Sequence, residues 1–316
     1  MKTALKHMES RRLGRTDLSV SALGFGAAPI GLLETEQQRA SAILNQLLDD
    51  GINLIDTAAS YAGSEDAIGR AISHRRDEYI LVSKCGQSSP DLPGADWSAP
   101  LILATVDRAL KRLRTDRLDV MLLHSCDLET LQKGEALEAL VKARDAGKIR
   151  FAGYSGDNKA VAFAAAHPAI AVVQTSINLV DQANIETLLP LTTKHDVGVL
   201  TKRSVANTAW RPLEALPGLY KEYAAEYHHR FKAMNLRLED LGFDPATTDW
   251  AEVALRFTLS HCGVHCALIG TTNPQNARRN IDAAAKGPLS ADVVKQIQNA
   301  FVAARQKSGQ PWPALT

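Results

Sequence analysis

The chain has 316 residues, of which 45% are hydrophobic and 22% charged, with 36 Lys and Arg against 35 Asp and Glu. That composition excludes a disordered or fibrous protein, and the balanced charge gives no field that would favour nucleic acid or an anionic membrane. The length suits either two domains or one large α/β domain built around small-molecule chemistry. The N-terminal stretch MKTALKHMESRRLGR lacks a continuous apolar segment, no run is long enough to span a bilayer, and four cysteines suit a reducing compartment. The expected location is therefore the cytoplasm.

In chain order, RRLGRTDLSV predicts a β-hairpin. Eight strand-like runs follow: ALGFG, INLIDTA, YILVSKC, DVMLLHS, FAGYSG, AVVQTSI, VGVLTKR and HCALIGT. Amphipathic segments lie between them, among them EQQRASAILNQLLDDG, with an acidic start and a glycine at its end, APLILATVDRALKRLR and TLQKGEALEALVKARDAGK. Strands alternating with helices imply parallel pairing through right-handed crossovers, and eight such units close into a (β/α)8 barrel. The sequence offers no linker, so the expectation is a single barrel domain over residues 1–316, its core at about 12–285. A long insertion follows the seventh strand, from Ser204 to about Asp249, and SADVVKQIQNAFVAARQ predicts an extra C-terminal helix at about 290–307. Tyr220, Tyr223 and Tyr227 in the insertion recur at helical spacing, which suits a helix packed on the barrel; a lid over substrate is the alternative.

Three of these strands end in an ionisable residue: Asp56 on the second, Lys84 on the third and His124 on the fourth. In such a barrel the C-terminal strand ends converge on one mouth, and Tyr61, on the loop after the second strand, could lean over it. A free tyrosine has a pKa of about 10; a nearby ammonium lowers that value, and a carboxylate behind the ammonium holds it charged and in place. A histidine can orient a substrate oxygen. Together the four amount to a proton donor for an oxygen gaining negative charge, as when hydride adds to a carbonyl. Each also has a plainer reading, as turn residue, snorkelling lysine, satisfied core histidine or packing aromatic, and only their arrival at one face speaks for the chemistry.

The order Asp56, Tyr61, Lys84, His124, set in NLIDTAASY, SEDAIGRAI, LVSKCG, ALKRLRTDRLDVMLLH and DAGKIRFAGYS, resembles the aldo-keto reductases from about Arg12 to Ile281. The resemblance implies a (β/α)8 barrel that binds a nicotinamide cofactor without a Rossmann domain. Tyr61 would be general acid/base, Lys84 and Asp56 would tune it, and His124 would orient the carbonyl. Ser155 and Gln174, at the ends of strands five and six, match positions that the family uses for the carboxamide, although each could instead cap a helix or satisfy a buried backbone group. In LIGTTNPQNARRNI, small residues lead through Pro274 into a helix, a ready anion site, so Gly270, Thr271, Thr272, Asn276 and Asn280 are candidates for the adenosine phosphates. Arg278 or Arg279 could meet a 2′-phosphate, which favours NADP(H), with NAD(H) possible. Gly26 would let backbone approach cofactor or substrate.

The chain departs from the family's pattern at two places. Many relatives have Ser-Asn where Ser155-Gly156 stands here, so one carboxamide contact is either missing or moved, with Asn158 the candidate. Many also carry a tyrosine after strand seven that stacks on the nicotinamide, where this chain has Lys202 and Arg203. That pair is either charge near the pyrophosphate or solvated loop charge.

Several other signals carry less. HCGVHC, from His261 to Cys266, lacks the paired CxxC spacing of a metal site, and GFGAAPIG has Pro29 where a dinucleotide fingerprint needs glycine. Cys126 could be a redox-sensitive thiol but reads better as a small hydrophobe. Trp97 and Trp210 either shape the pocket or pack loops. The resulting expectation is an NADP-dependent oxidoreductase acting on a small aldehyde, ketone or sugar, with no nucleic-acid or membrane partner. The alternatives are a cofactor-holding regulatory module with little turnover, like the relatives that serve as potassium-channel beta subunits, and a metal-dependent hydrolase, for which only Asp56 and His124 offer ligands.

Overall fold

The computed structural model describes residues 8–32, 36–216 and 218–316; the first seven residues of the basic N-terminal stretch lie outside these. Strands β1 (Ser10–Arg12) and β2 (Ser19–Ser21) pair antiparallel as the predicted hairpin. At its turn Gly14 takes φ +53°, and a Cβ there would stand 2.1 Å from the Gly198 nitrogen. Only glycine lets the hairpin close so tightly against the barrel floor.

Eight parallel strands close the barrel: β3 (Leu23–Gly26), β4 (Leu54–Asp56), β5 (Ile80–Cys85), β6 (Leu118–His124), β7 (Ile149–Ser155), β8 (Ile170–Ser176), β9 (Gly198–Lys202) and β10 (Cys266–Ile269). They neighbour one another in sequence order, and β10 pairs with β3 to complete the ring. All eight predicted runs are thus barrel strands.

Alternation along each strand sorts the side chains. Leu54, Val82, Val120, Leu122, Val172, Leu200 and Leu268 join Leu13, Leu18 and Val20 of the hairpin in a buried cluster inside the barrel. Leu81, Met121, Leu123, Val173 and Val199, one residue out of phase, pack under the surrounding helices. With a period of two, the next inward position after Leu54 is Asp56, after Val82 Lys84, after Leu122 His124, after Val172 Gln174 and after Leu200 Lys202. The polar residues therefore cap, at the C-terminal strand ends, a stack whose lower layers are aliphatic.

The helices follow the predicted segments with one difference. TLQKGEALEALVKARDAGK spans two helices, Leu128–Lys133 and Glu135–Asp145, because Gly134 turns left-handed at φ +83° between them. The insertion carries a helix at Gly218–Met234 and the C-terminal helix is Ala291–Ser308. These two share a second apolar cluster that includes Tyr227, Phe301 and Trp312. Among the described residues, no helix is long and apolar enough to cross a membrane.

Candidate active site

The three ionisable strand ends meet at the mouth. Lys84 Nζ donates to both carboxylate oxygens of Asp56, at 2.9 and 2.7 Å, and to the Thr57 carbonyl at 2.8 Å. Both residues are buried, Lys84 at 1% and Asp56 at 3% exposure. Such a pair holds only because each charge is fully engaged. Burial pushes the Asp56 carboxyl upward against the pull of Lys84 and Gln174. Burial also opposes the Lys84 charge, but Asp56 and Tyr61 outweigh it, so Lys84 is held above its ordinary value. Contact of one nitrogen with both carboxylate oxygens is the geometry of a charge-assisted ammonium–carboxylate pair.

Tyr61 stands over this pair, its ring centroid 5.1 Å from Lys84 Nζ, and meets His124 edge-on at 5.9 Å. The sequence led us to expect a phenol whose pKa the lysine lowers. In the structure burial is the larger effect and raises Tyr61 above its ordinary value, with Lys84 the leading opposing influence. The resting phenol is therefore firmly protonated, which is the state a proton donor needs. His124 is held down to about 3 by burial and by the charges of Lys84 and Lys202. It is thus a neutral imidazole at neutral pH. Its Nδ1 lies 3.4 Å from Ser60 Oγ, a neighbour that the sequence did not flag.

Gln174 links two layers of the site. Its Nε2 donates to Asp56 Oδ1 at 2.8 Å from the far side of the barrel, and its Oε1 accepts from Ser155 Oγ at 3.2 Å. The inward phase of VVQTS is the signal for this contact; its partner, a carboxylate 118 residues away, could not be read from it. Gly156 has a packing reason to be glycine. A Cβ there would lie 2.4 Å from the Tyr154 hydroxyl, which donates to the Cys126 carbonyl at 2.7 Å.

Two candidates are engaged within the chain itself. Asn158 donates to the Ala314 carbonyl at 2.9 Å and accepts from the Ala314 nitrogen at 3.0 Å, so its amide is engaged by the C-terminal strap. Arg203 Nη1 donates to the Leu315 carbonyl at 2.6 Å, and its guanidinium lies 5.6 and 5.9 Å from the Tyr223 and Tyr227 rings. It clamps the same strap. Lys202, in contrast, points inward and pairs with Asp157 Oδ2 at 2.9 Å. Neither residue is solvated loop charge. Tyr227 is buried and donates to Asp181 at 2.8 Å, whereas Tyr223 is 52% exposed; the Tyr220 side chain lies outside the described residues.

At the end of β10, Asn273 caps the helix Pro274–Ala285, its side chain accepting from Gln275 N at 2.9 Å. Thr271 Oγ1 accepts from Asn273 N at 3.1 Å, and Arg39, which the sequence did not flag, donates to the Thr272 carbonyl at 3.0 Å. Arg278 turns to Asp50 and Asp282, at 3.5 and 3.3 Å, while Asn276 and Arg279 are exposed and Asn280 is half-buried. Gly26 leaves open space: a Cβ there would meet nothing closer than 3.8 Å. Gly270 sits tighter, 3.4 Å from the Gly26 carbonyl on the same measure. Hydroxyl and amide groups beside an acid–base pair, together with a helix start flanked by guanidinium groups, are a donor set that fits a nicotinamide dinucleotide.

The remaining signals have structural roles. His265 Nδ1 accepts from Val199 N at 3.0 Å, and the His261 ring packs edge-on against Phe257 at 4.7 Å. Among the described residues no group of three or more His, Cys, Asp or Glu could hold a metal ion. Cys126 is 2% exposed and burial pushes its thiol up to about 12, which suits an inert hydrophobe. Trp97 covers Gly86, where a Cβ would meet its ring at 2.0 Å, and Trp210 packs on Phe231.

Residues 22–301 match the model of the aldo/keto reductase family. The chain is 29% identical over 302 residues to the uncharacterized oxidoreductase YqkF of Bacillus subtilis, covering 92% of this chain and 96% of that protein. It is 27% identical over 318 residues to a probable voltage-gated potassium channel subunit beta of Arabidopsis thaliana, covering 91% and 94%. The holo form of aldo-keto reductase AKR11C1 from Bacillus halodurans superposes with a TM-score of 0.77 at 28% identity, over 93% of this chain and 96% of that one. Barrel, polar top layer and family match agree: the chain belongs to the aldo/keto reductase family of oxidoreductases.

Proposed function

We propose that the protein is an NADP(H)-dependent oxidoreductase that moves hydride between nicotinamide and the carbonyl or alcohol of a small aldehyde, ketone or sugar, with Tyr61 as general acid/base. The observation that carries this reading is the buried Lys84–Asp56 pair directly beneath the Tyr61 ring. The nicotinamide supplies or takes the hydride. In reduction the Tyr61 hydroxyl gives its proton to the substrate oxygen as that oxygen gains charge, and the Lys84 ammonium stabilises the phenolate left behind. In oxidation the same proton returns. Asp56 keeps Lys84 charged and in place. A neutral His124 that accepts from Ser60 at Nδ1 presents Nε2–H to the substrate oxygen and orients it.

Ser155 and Gln174 would face the carboxamide, with Gly26 leaving room at the mouth. Gly270, Thr271, Thr272, Asn276 and Asn280 would hold the adenosine phosphates at the helix start. Arg279, aided by Arg39, is the candidate for the 2′-phosphate, since Arg278 is paired elsewhere. Fluorescence titration with NADPH and NADH, followed by cofactor absorbance against aldehydes, ketones and sugars, tests the reading. Tyr61→Phe should abolish turnover and largely spare NADPH affinity; preserved turnover refutes the role of Tyr61. The relative named as a channel subunit supports a second reading, a cofactor-holding regulatory module. NADPH binding without oxidation across the panel would favour it.

A further inference from the structure

Lys202 has no part in the proton transfer above, yet it is held at the mouth by an ion pair with Asp157. It sits opposite Ser176 in the β8–β9 ladder, one inward step above the layer that holds Leu200 and Gln174. Its partner Asp157 belongs to a different layer. Asp157 Oδ1 accepts from Thr175 Oγ1 and Ser176 N, both at 2.8 Å, and from Asn184 Nδ2 at 3.1 Å, all on the outer side of β8. The pair is therefore oriented, with a carboxylate side chain of 0% exposure behind and a lysine side chain of 17% exposure in front. Its field is felt accordingly, since Lys202 acts electrostatically on both Asp56 and His124. Burial lowers the Lys202 pKa and Asp157 opposes that, so the pair places an Asp157-anchored ammonium at the mouth, one step above Gln174 in the β8–β9 ladder.

We propose that Lys202 tunes the bound nicotinamide couple, favouring the reduced form over the oxidised form and so making the bound reduced cofactor a weaker hydride donor than it would be without that charge. This rests on the nicotinamide reading given above. When the ring gives up hydride, one proton and two electrons, it gains a positive charge. A cation held close by disfavours that product and leaves the neutral dihydro ring untouched. Asp157 weakens the effect without cancelling it, because it is the more distant member of the pair. Lys202 is thus a tuning residue that acts through its charge, not a group that exchanges protons with substrate.

Equilibrium binding of NADPH and of NADP+ to wild type, Lys202→Met and Lys202→Arg tests this without turnover. The readout is the ratio of the two dissociation constants, which a merely structural role would leave unchanged. The ratio Kd(NADP+)/Kd(NADPH) should fall about ten-fold in Lys202→Met, a drop of about 30 mV in the potential of the bound couple, and Lys202→Arg should retain it. If Lys202→Met does not fold because Asp157 is left buried and unpaired, Asp157→Asn/Lys202→Met removes both charges and should show the same fall. An unchanged ratio in a variant that binds both nucleotides overturns the proposal alone. Failure of wild type to bind either nucleotide overturns the nicotinamide reading and this proposal with it.

Discussion

Removing either half of the Lys84–Asp56 pair should be far more damaging than removing both. Lys84→Met leaves the Asp56 carboxylate at 3% exposure with only the Gln174 amide as a hydrogen-bond donor, while Asp56→Asn leaves an ammonium of 1% exposure with the Thr57 carbonyl. A buried charge stripped of its partner costs about 3–5 kcal/mol. At roughly 2 °C per kcal/mol for a chain of this size, each single variant should melt about 6–10 °C below wild type. The double variant Asp56→Asn/Lys84→Met carries no unpaired charge and should lie within about 2 kcal/mol of wild type, a coupling of several kcal/mol. Urea unfolding of the four proteins gives the cycle. Turnover should not follow stability: with Lys84 gone, the phenolate has lost its cation, and the double variant should stay about 10²–10⁴-fold slower than wild type. Single variants that each lose under about 1 kcal/mol, with losses that add, would show that these charges are not interdependent and would remove the basis for assigning Lys84 its role.

The pH dependence of carbonyl reduction should lack a limb near the ordinary histidine value. His124 is held down to about 3, and Tyr61 and Lys84 are both held above their ordinary values, so kcat/KM should be flat from about pH 6 to about pH 9 as far as these three groups decide it. A limb near 6.5 that vanishes in His124→Asn would contradict a neutral, buried imidazole. Asp181 offers a stability test. Burial raises its carboxyl to about 6 from an ordinary 3.8, so the fold favours the protonated form. That stabilisation is complete below the ordinary value, declines as pH rises, and is gone above about 6. Asp181→Asn should therefore stabilise the protein at pH 7.5 by at most about 3 kcal/mol and give no gain at pH 4. Equal shifts in melting temperature at the two pH values would count against it.

Most of the barrel was legible because its signals are local. Each strand is a short run rich in β-formers, and the residue that ends it in the top layer is fixed by a period of two. Asp56, Lys84, His124 and Gln174 could all be placed at the mouth on that basis. What could not be read were contacts made by residues distant in sequence. Asn158 and Arg203 were candidates as cofactor groups because they follow the strand ends that resemble the family's cofactor positions, and their contacts with the C-terminal residues were not readable. The structure ties both to Ala314 and Leu315, more than a hundred residues further on. The split at Gly134 was missed for another reason: the apolar spacing runs through it without interruption, and only the left-handed backbone shows the break.

The direction of the Tyr61 shift shows where chemical intuition applied to a sequence goes astray. A lysine beside a phenol lowers its pKa in water, but here both lie in a site where burial acts on the phenol more strongly than the lysine does. The two influences act at different moments. Before reaction, burial keeps the proton on Tyr61; as the proton leaves, charge appears within reach of an ammonium that Asp56 has already fixed, so the stabilisation grows with the reaction itself. An enzyme gains rate from interactions that strengthen in the transition state. A raised resting value for Tyr61 is therefore compatible with its role as proton donor, and the case for that role rests on the Lys84–Asp56 pair beneath the ring.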